Sequence, residues 1–169
     1  MLSLLLALAV GATPAGAALG TYRVRADTRL TGVPLVSTLE LRGDAVLRAG
    51  DGPRGVRARL ASRGQACELA GTLAPDGKLA FAGGQRCRIR LDDPGVRGEV
   101  LATLRSGQGR VEGDRLVLAL ELGVAGKVRV AAGGLAGLPG LGSEAVMPVD
   151  GAASVRAEGS RDHSRGADP

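Results

Sequence analysis

Apolar and charged residues alternate with a period of two in several separate segments of this chain. In residues 21–30 the even positions are mainly apolar, while the odd positions carry Arg and Asp. The same alternation returns around Leu39, Val56, Cys87 and Val128. This pattern is typical of β-strands that have one face in the core and the other in water. Beyond the N-terminal segment no long stretch has a helical stripe of apolar residues, so we expect an all-β protein.

Turn-forming residues separate these segments at short intervals. Gly supplies the positive φ angles of tight hairpins, and Pro presets the preceding turn position. Clusters of them lie at residues 50–53, 75–77, 92–95, 106–109 and 113–114. Residues 96–105 and 116–122 have apolar residues at both odd and even positions, which predicts strands that are central or covered on both faces. We predict a single antiparallel β-barrel or β-sandwich of about eight to ten strands with meander connections, spanning residues 20–158.

Residues 1–18 predict an export signal. An apolar core begins at Leu2, and the small residues Ala15 and Ala17 fit the A-x-A cleavage rule. We expect cleavage after Ala17 or Ala18. The apolar stretch is shorter than the roughly 20 residues that a helix needs to cross a bilayer. We therefore expect a periplasmic or secreted protein that does not span a membrane after signal cleavage.

The rest of the chain predicts one β domain, residues 19–158, with a Gly-rich loop at residues 133–142. A last alternating segment at residues 153–157 predicts a strand that pairs with residues 21–30 and closes the sheet, which would hide its edges. Residues 159–169 are polar and have no periodicity, so we expect a disordered tail.

The chain has two cysteines, Cys67 and Cys87, which flank the predicted turn at residues 75–77. An even cysteine count behind an export signal is typical of a disulfide, although a free or redox-active pair is the alternative. Parity places both side chains on the inward face, and a bulge at Gly83 and Gly84 would bring them opposite each other. Such a bond contributes about 3 kcal/mol in the chain-entropy model. Two thiols are too few for a closed zinc site, and we expect no metal.

The chain is basic and poor in aromatic residues. Its 22 Lys and Arg exceed its 17 Asp and Glu, for a net charge of +5. Twenty of the cations are arginines that are spread along the chain and interleaved with acids, which favours codon composition over a polyanion-binding surface. Tyr22 and Phe81 are the only aromatic residues, too few for base stacking or for the girdles of a transmembrane barrel. We expect an aliphatic core and no nucleic-acid partner.

No motif in the sequence assembles a catalytic site. His163, the only histidine, lies in the predicted tail, whereas a general base must be held within reach of its target. Asp92 and Asp93 are typical of a turn, although they could contribute to a calcium site. The glycines of residues 107–113 miss the dinucleotide-binding fingerprint by one position. We expect a non-enzymatic protein without a cofactor.

Arg86, Arg88 and Arg90 project from one face of a predicted strand and are our candidate ligand-binding residues. Three cations in a row could bind phosphate or lipid head groups, although the solvated outer face of any strand shows the same alternation of charged and apolar residues. For function we expect an exported protein of the bacterial envelope or extracellular space, with a structural or interaction role and an unknown protein partner. The alternative is a carrier of a small apolar ligand or lipid in a calycin-like barrel, because closed barrels of about eight strands can enclose one such molecule.

Overall fold

The protein is nearly all β, as its sequence predicts. The computed structural model describes residues 15–32, 37–93, 96–131 and 144–165. Short 3-10 turns lie at Ala15–Ala18 and His163–Arg165. The predicted Gly-rich loop and most of the predicted export signal lie outside the described residues. In the described residues, no helix is long and apolar enough to cross a membrane.

One antiparallel sheet contains all the strands of the described residues. They are β1 (Gly20–Thr31), β2 (Thr38–Ala49), β3 (Gly55–Ser62), β4 (Gln65–Leu73), β5 (Lys78–Phe81), β6 (Arg86–Asp93), β7 (Val96–Glu112), β8 (Arg115–Ala131) and β9 (Glu144–Arg161). Their order in the sheet is β5-β4-β3-β2-β1-β9-β8-β7-β6, and β5 also pairs with β7. This last pairing closes a ring of eight strands, which leaves β6 outside the ring.

The first and last strands of the chain are neighbours in the ring. β1 pairs with β9, so that Tyr22 lies opposite Arg161 and Thr31 lies opposite Ala152. The predicted pairing of residues 153–157 with residues 21–30 is confirmed. β9 continues to Arg161, beyond the predicted start of the tail at residue 159. Backbone pairing to β1 and β8 on both sides holds this polar end in a strand although its sequence has no alternation.

β7 passes straight through residues 106–109, so the turn predicted there is wrong. Its ladder with β8 continues with one irregularity, between Leu104 and Ser106. Gly107 is required by the packing of the ring interior, because a Cβ there would lie 3.0 Å from Leu120 Cδ2 and 3.1 Å from Phe81 Cβ. The inward side chains of neighbouring strands therefore occupy the space that a side chain at residue 107 would need.

β5 and β6 follow each other along one edge of β7. β5 pairs with residues 107–110 of β7, and β6 pairs with residues 96–103. Gly83 and Gly84 form a turn between the two strands, where the sequence predicted a bulge. The disulfide Cys67–Cys87 joins β4 to β6 with a Cα–Cα distance of 5.5 Å, which confirms the predicted bond.

Two glutamine side chains replace backbone hydrogen bonds between β4 and β6. The amide of Gln65 donates to the Arg90 carbonyl at 2.5 Å and accepts from the Arg90 N–H at 2.7 Å. The amide of Gln85 makes the same pair of bonds with Ala70, at 2.8 and 2.6 Å. In the described residues β4 and β6 share no backbone ladder. We call this contact, residues 65–70 with residues 85–90, the β4–β6 seam.

Aliphatic side chains and both aromatic rings fill the interior of the ring. Tyr22 is 0% exposed and Phe81 is 6% exposed. The other ring strands contribute, in chain order, Leu47, Val56, Leu69, Leu104, Leu116 and Ala157 to the same cluster. A second cluster, rich in valine, lies on β7, β8 and β9 and includes Val100, Val128 and Val149. The core is as aliphatic as the composition predicts.

Candidate functional site: a cationic face on strands β6 to β9

The outward side chains of β6, β7 and β8 form a surface rich in cations. We call it the cationic face and define it by Arg86, Arg88, Arg90, Arg97, Arg105, Lys127 and Arg129, all of which are exposed. The exposed acids on the outward side of these strands are Asp92, Glu99, Glu112 and Glu121, and Asp150 and Glu158 lie on the adjacent β9. Alternation explains this arrangement, because the inward residues of the same strands are apolar and lie in the core.

The three arginines that the sequence singled out all lie on this face. Arg86, Arg88 and Arg90 point outward from β6, and Cys87 between the first two ties the strand to β4. Arg88 is partly neutralised, since its Nε lies 3.2 Å from Glu99 Oε1. The cationic face thus contains the three predicted arginines of β6, but its other cations lie on β7 and β8.

Two arginines face each other directly within the cationic face. Arg97 of β7 lies opposite Arg129 of β8 in the sheet register, and Lys127, the next outward residue along β8, lies opposite Glu99. Like charges directly opposite each other destabilise a strand pair. Arg97 Nε lies 3.4 Å from Asp92 Oδ1, whereas Lys127 and Arg129 have no ion-pair partner in the described part of the chain. An anion bound between these side chains would relieve the repulsion.

A depression of about 430 Å³ lies among these cations. Its lining residues are Arg97, Gly98, Lys127, Val128, Arg129 and Val146. Gly98 has no room for a side chain, because a Cβ there would lie 2.5 Å from the Lys127 carbonyl oxygen. At the rim, Val146 is 63% exposed, the largest exposure of a bulky hydrophobic residue in the described chain. The depression thus combines three cations with one apolar contact.

Ion pairs elsewhere on the surface differ from this arrangement. The pKa of the Arg57 guanidinium is raised, first by its hydrogen bond to Asp51 and then by the charge of that carboxylate. The pKa of Arg115 is raised in the same way by Glu158. Arg57 is neutralised by an acid of the β2–β3 turn and Arg115 by an acid of the neighbouring β9, so both offer less positive charge to a partner than Arg129 does.

A second polar cluster lies at the end of the ring where β1 begins and β9 ends. Arg161 Nε lies 3.4 Å from Asp114 Oδ1, and His163 Nε2 lies 3.2 Å from Asp114 Oδ2. His163 is thus placed in a short turn instead of a disordered tail, with its side chain 71% exposed. Within the described ranges, no group of three or more His, Cys, Asp and Glu side chains could hold a metal ion.

Sequence reasoning missed Arg97, Lys127, Arg129 and Val146. Lys127 and Arg129 lie in an alternating segment, but the registers of β7 on β8 and of β8 on β9 decide which outward residues lie side by side, and no strand alone encodes them. Comparison with protein-family models and with curated proteins finds no match to this chain.

Proposed function

We propose that this protein is an exported, non-enzymatic interaction domain that binds an acidic partner protein through its cationic face. The observation that carries the proposal is the direct opposition of Arg97 and Arg129, with Lys127 beside them. Guanidinium groups bind carboxylates in a bidentate geometry, and paired guanidiniums gain from a shared anion. The side chains stand on long hydrogen-bonded strands, which hold their positions in the sheet and lower the entropy cost of binding.

Location outside the cytoplasm is supported by two features. The Cys67–Cys87 disulfide is typical of an oxidising compartment. Residues 1–18 have the apolar core and small residues of a cleaved export signal. Intact mass of the protein secreted by a bacterial host, with and without reductant, tests both features. We expect loss of the first 17 or 18 residues and two thiols that react only after reduction; a full-length mass or two reactive thiols would contradict this.

Binding of an acidic probe tests the function itself. We expect the mature protein to bind a glutamate-rich peptide, and the double substitution Arg97→Gln/Arg129→Gln to weaken binding about tenfold. The control is Arg48→Gln/Arg59→Gln, which makes the same charge change at exposed positions of β2 and β3. Affinity should fall with salt for the wild-type protein. Equal weakening by both double variants would mean that only net charge matters, and the proposal would fail.

A carrier of a small apolar ligand or lipid is the second candidate. It is favoured by the closed ring and by Thr28, whose buried hydroxyl has no hydrogen-bond partner within the described residues. Against it, Phe81 occupies the space beside Gly71 and Gly107 inside the ring. Native mass spectrometry of the mature protein separates the two candidates: a lipid bound at stoichiometric occupancy favours the carrier, whereas the bare protein mass after incubation with lipid favours the interaction domain.

A further inference from the structure

A largely buried arginine lies beside the only tyrosine at one end of the ring. Arg161 of β9 lies opposite Tyr22 of β1, and both side chains point inward. Arg161 Nη2 donates a hydrogen bond to Tyr22 Oη at 2.8 Å, and the guanidinium carbon lies 5.4 Å from the ring centroid. Tyr22 is 0% exposed and the Arg161 side chain is 20% exposed. We call these two residues the Arg–Tyr pair.

Backbone carbonyls of the segment that precedes β1 accept hydrogen bonds from the Arg–Tyr pair. Tyr22 Oη donates to the Ala18 carbonyl at 2.7 Å, and Arg161 Nη2 donates to the Ala17 carbonyl. Ala18 is 2% exposed and belongs to the core cluster. These are the residues at which the sequence predicts cleavage of the export signal. Cleavage after Ala17 removes the Ala17 carbonyl from Arg161, and cleavage after Ala18 also removes the Ala18 carbonyl from Tyr22.

We propose that in the mature protein the Arg–Tyr pair binds the terminal carboxylate of a peptide that ends in small residues. This inference rests on the proposed export and cleavage, but not on the cationic face. Loss of these carbonyls leaves Arg161 with Tyr22 Oη and Asp114 as its contacts, and a carboxylate in their place forms charge-assisted hydrogen bonds with the guanidinium and the hydroxyl. Cleavage after Ala18 vacates the space of the buried Ala18 methyl group, which fits a C-terminal alanine or glycine.

The acids near Arg161 contact its Nε side or are held by other residues, so the Nη side of the guanidinium can bind the ligand. Asp114 faces Nε at 3.4 Å, and it also contacts His163. The Asp114 side chain is 63% exposed, so solvent screens its charge. The carboxylate of Asp162 is held by Arg23 and by Ser164. The Nη side, toward Tyr22, is where the Ala17 carbonyl lies and where a carboxylate would replace it.

Calorimetry with the tetrapeptide Ala-Gly-Ala-Ala, the sequence of residues 15–18, tests the proposal on the protein purified after export. We expect the free acid to bind about ten- to a hundredfold more tightly than its C-terminal amide. Tyr22→Phe, which keeps the ring, should weaken binding of the acid about tenfold, and Arg161→Gln should abolish it. The matched control is Arg156→Gln, at an exposed outward position of the same strand.

Several results would overturn the proposal. Equal affinities for acid and amide would show that no carboxylate is recognised, and an unchanged affinity of Tyr22→Phe would place the peptide elsewhere. Acetate binding as tightly as the peptide would show a site for small anions only. A mature protein that retains Ala17 and Ala18 and does not bind the peptide would show that the segment stays in place.

If Arg97→Gln/Arg129→Gln lowers peptide affinity as much as Tyr22→Phe does, the peptide binds the cationic face, and the Arg–Tyr pair is not its site.

Discussion

Gly71 occupies a position in β4 where the ring leaves no room for a side chain. A Cβ there would lie 2.4 Å from the Ala80 carbonyl oxygen and 2.7 Å from Phe81 Cδ1. The β4–β5 pairing fixes the Ala80 carbonyl, and the Phe81 ring is buried in the core. We therefore expect Gly71→Ala to lower the free energy of unfolding by about 1–3 kcal/mol. Urea denaturation of the mature protein measures this loss.

The matched control for Gly71 is Gly123→Ala. The nearest atoms to a Cβ at residue 123 would be those of the exposed Arg105 guanidinium, with its Nε at 3.2 Å. That side chain can move aside, and we expect a change within about 0.5 kcal/mol. Equal costs at the two positions would show that Phe81 does not fill the space beside Gly71.

Asp162 links the end of β9 to β1 through its carboxylate. The Ser164 hydroxyl donates to Oδ1 at 2.5 Å, and Arg23 Nε donates to Oδ2 at 2.9 Å. The hydrogen bond from Ser164, followed by that from its backbone N–H and the contact with Arg23, lowers the pKa of Asp162 below its ordinary value of 3.8. The ionised form is favoured by folding, so its contribution to stability is complete above pH 3.8 and is lost as pH falls through the lowered pKa.

We therefore expect Asp162→Asn to lower the free energy of unfolding near pH 7 and to have a smaller effect near pH 2. Urea denaturation at both pH values measures the difference. Asp27→Asn, at an exposed position of β1, is the control that makes the same charge change. If Asp162→Asn costs the same at both pH values, the ionised carboxylate contributes nothing to stability.

At the scale of elements, the β4–β6 seam depends on side-chain amides. Gln85 bonds to both backbone groups of Ala70 and donates to the Ala82 carbonyl at 2.8 Å. We expect Gln85→Ala to lower the free energy of unfolding by about 1–2 kcal/mol, because these partly solvated backbone groups lose their partner. Thermal denaturation compares it with Gln108→Ala, an exposed outward glutamine of β7. Equal melting temperatures of the two variants would mean that water replaces the amide without loss.

Strands with one solvent-exposed and one buried face could be predicted from their sequence alone. β1, β3 and β6 alternate because each outward residue contacts water. Parity on β4 and β6 also predicted that Cys67 and Cys87 lie on the same face. The turn predicted at residues 106–109 was wrong for a non-local reason. Gly107 is required by Phe81 and Leu120, which reach it from other strands, and nothing next to it in sequence indicates this.

The candidate site was predicted only in part, for a similar reason. Arg86, Arg88 and Arg90 lie on one strand, so alternation places them on one face. Arg97 and Arg129 come together through the register of two long strands, which sequence spacing does not give. The Arg–Tyr pair needs β9 to continue into a polar segment, and pairing with β1 and β8 causes that continuation.

At the scale of the whole molecule, the strands differ in how many neighbours hold them. β1, β8 and β9 have a hydrogen-bonded strand on each side, whereas β6 has a ladder only with β7. Its other edge is held by the seam and by the Cys67–Cys87 disulfide, which links residues 20 apart in sequence and contributes about 3 kcal/mol. Because strands open with free energies that reflect such contacts, we infer that β6 opens before the ring does.

Hydrogen exchange followed by mass spectrometry tests this order of opening. Reduction of the disulfide should speed amide exchange in β4 and β6 while β8 and β9 keep most of their protection, because their ladders do not depend on the seam. Gln85→Ala without reductant should speed exchange in the same two strands, to a smaller extent. If reduction speeds exchange equally in all strands, the ring and β6 unfold as one unit, and the disulfide stabilises the whole fold instead of the seam.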